Sequence, residues 1–283
     1  MKTETRHVFS LSSVVLAGLL LAGGCASTAE SPAPWRTRES PLVCAHRGSR
    51  AEYDDNAAGG FAKSLAAGVR GFETDVRMTT DDELVIMHDV KVERTTTGTG
   101  RVDQMTKEQV TALTLKRSGE HVPTPAIIAE IFRGVKDVRI EWEMKESVSS
   151  LGQARADLYC DKLYAAVTST MEPGTYVFTS FSDTILATMK RRHPDAPTGY
   201  ITGKPLTRDF IDQAVALGCC GVAPALKGTT REAVDAAHAK GLVVTLWMVQ
   251  KPDTYAKARA LGADVCTSDY AMAVRAAAVK ANR

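Results

Sequence analysis

From residue 42 onward the chain alternates short apolar runs with longer stretches of mixed polarity. The apolar runs read as strands at 42–46, 71–76, 138–144, 175–180, 198–201, 219–223, 242–248 and 264–268. Between them, apolar positions recur at helical spacing over 56–67, 182–192, 207–217, 229–240 and 253–261. Gly68, Pro194, Gly218, Gly241 and Gly262 follow these segments as stop signals, and Thr229 opens its segment as a cap. Eight strands with helices between them predict an α/β protein, either a barrel or a doubly wound sheet. The first and last strands are both continuous apolar runs, so neither resembles an exposed edge. That favours a TIM-type (β/α)8 barrel. The exception is a small inserted domain expected after strand two, about residues 77–125. Its irregular part begins at Val90, passes through a Thr/Gly run at 95–100 and holds one short helical pattern at 107–115. No internal repeat interrupts this pattern.

One stretch breaks the apolar rule. In 71–76 side chains alternate, with Phe72, Thr74 and Val76 on one face and Glu73 and Asp75 on the other, joined by Arg77. Two carboxylates on one face of an apolar strand repel each other, and burial raises the cost of ionising each. A divalent cation is the obvious compensator, and Arg77 is another. Residues 79–82 read as a turn and 83–88 as a return strand. A turn centred on Asp81 and Asp82 places His88 opposite Asp75. The bland alternative is a surface hairpin with solvated charges.

Composition narrows the class. The chain has 283 residues, 44% hydrophobic and 24% charged, which is globular. A net charge of +2 without any Lys/Arg block leaves no case for nucleic acid. At the start, Lys2 and Arg6 precede an apolar run at 14–22 that is too short to span a bilayer comfortably. Ala22, Gly23 and Gly24 then lead to Cys25, a pattern that looks like a bacterial lipoprotein signal. The resemblance implies removal of residues 1–24, acylation of Cys25 and a Ser/Thr/Ala/Pro-rich tether over 25–40. The domain at 41–283 would then be exported and anchored on the extracytoplasmic side of a bacterial membrane. An ordinary secretory signal is the competing reading. Cys44, Cys160, Cys219, Cys220 and Cys266 have no zinc-ligand spacing, and three of them sit in apolar runs as small hydrophobes.

In such barrels the chemistry gathers at the C-terminal ends of the strands. Those ends carry His46-Arg47-Gly48, Glu73 and Asp75, Glu143 and Lys145, Ser180-Phe181, Trp247 and Thr267-Ser268-Asp269. Glu141, two residues deeper than Glu143, reads as half of a buried ion pair. His121, His193 and His238 read as solvated. Glu73, Asp75 and Glu143 are hard oxygen donors suited to Ca2+ or Mg2+.

The ordered set His46-Arg47-Gly48, Asp55-Asn56, Glu73-x-Asp75, His88-Asp89, Arg94-Thr95-Thr96, Glu143-x-Lys145, Ser180-Phe181, Trp247 and Thr267-Ser268-Asp269-Tyr270 resembles the glycerophosphodiester phosphodiesterase family. The resemblance implies a divalent metal and hydrolysis of glycerophosphodiesters to glycerol 3-phosphate and an alcohol. It makes His46 and His88 the general acid and base, both able to exchange protons near neutrality. Arg47 offers a fork that fits phosphate, and Lys145 adds a second positive charge. Phe181 and Trp247 would wall the alcohol or glycerol group. The family usually carries Pro-Glu-Asn-Thr where this chain has Asp54-Asp55-Asn56-Ala57. Asp55, one methylene shorter, is thus a doubtful ligand that would reach a metal only through water. Two other readings remain: a lysophospholipase D or sphingomyelinase D-like enzyme, and a headgroup-binding lipoprotein with a decayed site.

Overall fold

The computed structural model describes residues 41–281. The signal and tether expected over residues 1–40, with Cys25, lie outside the described residues. Nine strands form one sheet: β1 Leu42–His46, β2 Gly71–Met78, β3 Leu84–Ile86, β4 Arg139–Met144, β5 Tyr176–Ser180, β6 Thr198–Ile201, β7 Gly221–Ala223, β8 Val243–Trp247 and β9 Val265–Ser268. The order is β1-β9-β8-β7-β6-β5-β4-β2-β3, and β1 also pairs with β2. All pairings except that of β3 are parallel, so eight strands close into a barrel and β3 hangs antiparallel from β2. The expected (β/α)8 architecture is the observed one. The helices are α1 Ala58–Ala66, α2 Lys107–Thr111, α3 Pro125–Ile131, α4 Val148–Leu151, α5 Gln153–Thr168, α6 Asp183–Arg192, α7 Arg208–Ala216, α8 Arg231–His238, α9 Pro252–Ala260 and α10 Ala271–Ala281. Among the described residues, no helix is long and apolar enough to cross a membrane.

Local chemistry sets the helix starts. The hydroxyls of Thr124, Ser182, Thr207 and Thr230 accept from the backbone N–H three residues on and open α3, α6, α7 and α8. Thr230 is therefore the cap of α8, not Thr229 as the sequence suggested. Thr229 is spent elsewhere: its hydroxyl donates to the Ala225 carbonyl at 2.6 Å and accepts from Leu206 N at 3.0 Å.

The barrel has two unlike faces. Outward side chains pack under the helices, as where Phe61, Phe72 and Phe132 cluster with ring centroids 4.7–6.3 Å apart. Trp142, Phe178 and Tyr159 extend that apolar layer, all fully buried. On the other face, Glu73 sits in register with Glu141, and Asp75 with Glu143. Glu141 forms the expected buried ion pair, with Arg139 Nη2 at 3.4 Å, and accepts from Thr245 Oγ1 at 2.9 Å.

The hairpin register differs from the expected one. Val76 pairs with Ile86 and Met78 with Leu84. Thr79 N donates to the Glu83 carbonyl at 2.8 Å, and Asp82 takes a positive φ of 59°. Residues 80–82 thus form an odd-membered loop closed by a left-handed residue, where the sequence reading had an even one. One residue of slip puts Met87, not His88, against Asp75, whose carbonyl accepts from Met87 N at 3.0 Å.

From β3 onward the chain builds an apolar cluster of Val85, Met87, Val92, Val102, Val110, Leu115 and Val122, joined by Ala57 from the loop after β1 and separate from the main core. It is fastened to the loop after β1 and to the first turn of α1. Asp54 Oδ2 accepts from Arg117 N at 3.0 Å and Ser118 N at 2.6 Å, and Gly59 N donates to Glu120 Oε2 at 2.8 Å.

Candidate active site

The loop leaving β1 turns so sharply that Arg47, Gly48 and Ser49 all have φ between 51° and 73°. For non-glycine residues this region costs of order 1–3 kcal/mol and persists only where the surroundings hold it. Here the turn aims Arg47 N at Glu73 Oε2, at 3.0 Å. Asn56, with φ 61°, donates through Nδ2 to Asp75 Oδ2 at 2.9 Å and accepts from Thr74 Oγ1 at 3.0 Å. The β1 loop therefore clamps both β2 carboxylates.

Glu73, Asp75 and Glu143 are buried, each offering an oxygen within 4.8 Å of the others. Lys145 Nζ donates to Glu143 Oε1 at 2.6 Å and lies 3.4 Å from Asp75 Oδ1. Arg47 Nε lies 3.2 Å from Asp75 Oδ2. These two cations do not complete the site. Glu73 Oε1 and Asp75 Oδ1 are buried without a hydrogen-bond donor. Burial, then the neighbouring carboxylates, push Glu73 and Glu143 above the ordinary carboxylate range. Burial also works against Asp75, yet Lys145, Arg47 and His88 outweigh it and hold it below that range. An all-oxygen group with two donor-less buried oxygens fits a hard divalent cation. Arg77 takes no part in this neutralisation. It donates to the His88 carbonyl at 2.9 Å and to Glu146 Oε1 at 3.2 Å, in the segments that follow β3 and β4.

Each imidazole has its own carboxylate. His46 Nδ1–H donates to Asp269 Oδ1 at 2.5 Å, and Nε2 lies 3.8 Å from Glu73 Oε2. Asp269 also accepts from Arg50 Nε at 2.7 Å, Arg50 Nη2 at 3.1 Å and Gln250 Nε2 at 2.7 Å. His88 Nδ1–H donates to Asp89 Oδ1 at 2.6 Å, and Asp89 Oδ2 accepts from Arg94. With Nδ1 committed in both rings, Nε2 is the nitrogen left for chemistry. Burial pulls both imidazoles below their ordinary value, against the opposing effect of their carboxylates.

Both histidines, Arg47, Glu73, Glu143 and Lys145 line one cleft of about 270 Å³. Phe181 and Trp247 line it too and meet edge to face, centroids 5.9 Å apart. Trp247 Nε1 donates to the Ala223 carbonyl at 2.8 Å, which fixes its plane. Of the other residues expected at the site, Asp75 lies buried behind this lining, against Glu73 and Glu143, and Asp55 lies outside the carboxylate group. Asp55 Oδ2 instead accepts from Arg47 Nη1 at 2.9 Å and Arg94 Nη1 at 3.0 Å. Of the other histidines, His121 is exposed. His193 is not merely solvated: it stacks on Tyr164 with centroids 3.9 Å apart and bonds Asp161 through Nε2 at 2.9 Å. His238 Nε2 likewise lies 3.0 Å from Asp264 Oδ2.

Arg50, Gln250 and the imidazole partners Asp89 and Asp269 had no role assigned from sequence. Adjacency in His88-Asp89 was an available signal for one. Nothing local links His46 to a carboxylate 223 residues away.

Comparison with known proteins agrees with this geometry. Residues 46–272 match the model of the glycerophosphoryl diester phosphodiesterase family. A probable glycerophosphodiester phosphodiesterase 1 of Mycobacterium tuberculosis is 29% identical over 227 residues, covering 75% of this chain and 82% of that protein. The glycerophosphodiester phosphodiesterase of Caldanaerobacter subterraneus subsp. tengcongensis is 26% identical over 234 residues, 81% of this chain and 93% of that one. In fold, a phosphodiesterase of Oleispira antarctica, solved with its product sn-glycerol-3-phosphate, superimposes with a TM-score of 0.76. That alignment covers 84% of this chain and 96% of the other at 21% identity. The match runs from the end of β1 past β9 and takes in both imidazoles and all three converging carboxylates, so this chain belongs to the glycerophosphoryl diester phosphodiesterase family of phosphoric diester hydrolases.

Proposed function

We propose that the protein hydrolyses glycerophosphodiesters to glycerol 3-phosphate and an alcohol, with His46 and His88 exchanging the protons. The observation that carries this reading is the meeting of two Asp-backed imidazoles with Arg47, Lys145, Glu73 and Glu143 in one cleft, backed by the buried Asp75. Glu73, Asp75 and Glu143 would hold Ca2+ or Mg2+, which when bound polarises phosphoryl oxygens.

The chain's own groups do the rest. Arg47 presents its guanidinium to the phosphate, and Lys145 adds charge from the end of β4, on the other side of β2. One imidazole takes the proton from the glycerol hydroxyl next to the phosphate through Nε2. That oxygen bonds to phosphorus, the bond to the alcohol breaks, and the other ring protonates the departing oxygen through its Nε2–H. Water then opens the cyclic phosphate with the two roles exchanged. Asp269 and Asp89 hold each ring in the tautomer that leaves Nε2 free for this exchange. Phe181 and Trp247 would flank the organic group.

The test is glycerol 3-phosphate release from glycerophosphocholine by the purified protein, with and without EDTA. Release that stops with EDTA and returns with Ca2+ or Mg2+ is expected. Full activity after exhaustive chelation removes the metal from this reading. Choline release from a lysolipid, without action on glycerophosphocholine, moves the protein to the lysophospholipase D reading.

For the cell, we infer export and anchoring through acylated Cys25, on the strength of the basic start, the apolar run and the small residues before it. A single acyl chain binds membranes only marginally, so a second lipid signal is expected there. Cys25→Ser should release the protein from the membrane fraction. An unchanged membrane fraction means that Cys25 is not the anchor.

A further inference from the structure

Beside the cleft, behind the Arg47 and Arg50 that line it, one carboxylate oxygen faces three guanidinium groups. Asp55 Oδ2 accepts from Arg47 Nη1 at 2.9 Å and Arg94 Nη1 at 3.0 Å, and Arg50 Nη1 lies 3.8 Å away. Each arginine is committed at its other end. Arg47 Nε sits 3.2 Å from Asp75 Oδ2, within the carboxylate triad. Arg50 grips Asp269, the partner of His46, through two N–H groups. Arg94 donates to Asp89, the partner of His88. Asp55 is therefore the common point of three charged chains that end on the triad and on both imidazoles. We propose that Asp55 is a positioning residue, the hub that holds Arg47, Arg50 and Arg94 around the phosphate cleft, and not a metal ligand. The activity arm of its test rests on the phosphodiesterase reading above.

The physical reason is like-charge repulsion. Three guanidiniums drawn toward one point repel unless an anion lies between them. Arg50 and Arg94 have side chains 36% and 45% exposed, so without that anion each keeps only its bond to Asp269 or Asp89 and its remaining N–H groups turn toward solvent. The backbone at Asp55 is held independently of its side chain. Asp54 accepts from Arg117 N and Ser118 N, and Asn56 N donates to the Arg47 carbonyl at 2.9 Å. A substitution at 55 therefore changes the hub and leaves its frame. The short aspartate arm also suits this work: its one bonded oxygen is already spent on arginines.

The test compares wild type, Asp55→Asn and Asp55→Glu by calorimetry with Ca2+, and then by turnover of glycerophosphocholine. Asp55→Asn should keep the wild-type Ca2+ affinity while kcat/KM falls by about 10–100-fold, the usual cost of losing a supporting partner. Asp55→Glu, which restores the anion, should recover most of that loss. Arg94→Gln combined with Asp55→Asn should lose less than the product of the two single losses, because the two act through one contact. A drop in Ca2+ affinity of about tenfold or more in Asp55→Asn makes Asp55 part of the metal site and overturns the proposal. So does wild-type kcat/KM in Asp55→Asn, or an equal loss in Glu and Asn. Should wild type itself release no glycerol 3-phosphate, the phosphodiesterase reading fails. The Ca2+ titrations still decide whether Asp55 is a ligand.

Discussion

The two imidazole–carboxylate pairs face the same cleft but are built differently. His46 stands at the end of β1, and Asp269 follows β9, the neighbouring barrel strand. Their side chains are only 15% and 10% exposed, and Arg50 and Gln250 hold Asp269 from two further sides. His88 and Asp89 are adjacent in sequence on the segment leaving β3, 31% and 28% exposed, with Arg94 as the other partner of Asp89. One pair is part of the barrel frame, and the other rides on the appended excursion. A fixed ring and a less enclosed one suit the proposed reaction, in which one oxygen would stay with the glycerol phosphate and another would leave with a variable alcohol.

Removing either ring is the strongest way to break the comparison. His46→Ala and His88→Ala should each lower kcat by roughly 10²–10⁴-fold. Their pH–rate profiles should each lose one limb of the bell, and Ca2+ affinity should hardly move. Near wild-type kcat across pH in either variant rules out the acid/base pairing. Collapse of metal binding in His46→Ala would instead make His46 a ligand.

The partners come next. Asp269→Asn should cut kcat by about 10–100-fold, and Asp89→Asn by less, because Arg94 and solvent can still restrain the more exposed ring. A larger loss in Asp89→Asn than in Asp269→Asn would reverse the assignment of the rigid and the looser pair. In stability, Asp269→Asn replaces one of two oxygens that each accept two N–H groups and should cost about 1–3 kcal/mol in urea unfolding. Asp89→Asn is closer to a surface change and should stay within about 1 kcal/mol.

The smallest effect is in acid. Burial opposes ionisation of both carboxylates, but hydrogen bonds from His46 and Arg50 hold Asp269 below its ordinary range, and those from Arg94 and His88 do the same for Asp89. A depressed carboxylate stabilises the fold fully above its unfolded value of about 3.9, and that stability is lost as pH falls toward the folded value. Below about pH 4, stability should therefore fall less steeply in Asp269→Asn than in wild type. Identical acid slopes would show that Asp269 contributes no acid-dependent stability.

Much of this molecule could be read from local pattern. Apolar runs of strand length and helical segments ending at Gly68, Gly218 and Gly262 gave the barrel, because period and stop signals act within one element. The set of residues at the mouth followed, since a parallel barrel puts every strand's C-terminal end on one side. Glu141 was also legible, as a charge two residues deeper in an apolar strand needs a partner and Arg139 lies on the same face.

What tertiary structure decided was partnership. The hairpin slipped by one residue because its turn took Asp82 into the left-handed region, which alternation of apolar residues does not encode. Arg77 shares a strand face with Glu73 and Asp75 yet bonds Glu146 and the His88 carbonyl, since a long side chain goes to whatever surrounds it. Asp269 reached His46 only because β9 closes the barrel against β1. Asp55 turned to arginines because Arg94, from the segment after β3, arrived beside Arg47 of its own loop. Periodicity and motif order act over a few residues and are written in the sequence. The assignment of a charge to its partner depends on which segments meet, and burial magnifies the difference between one partner and another.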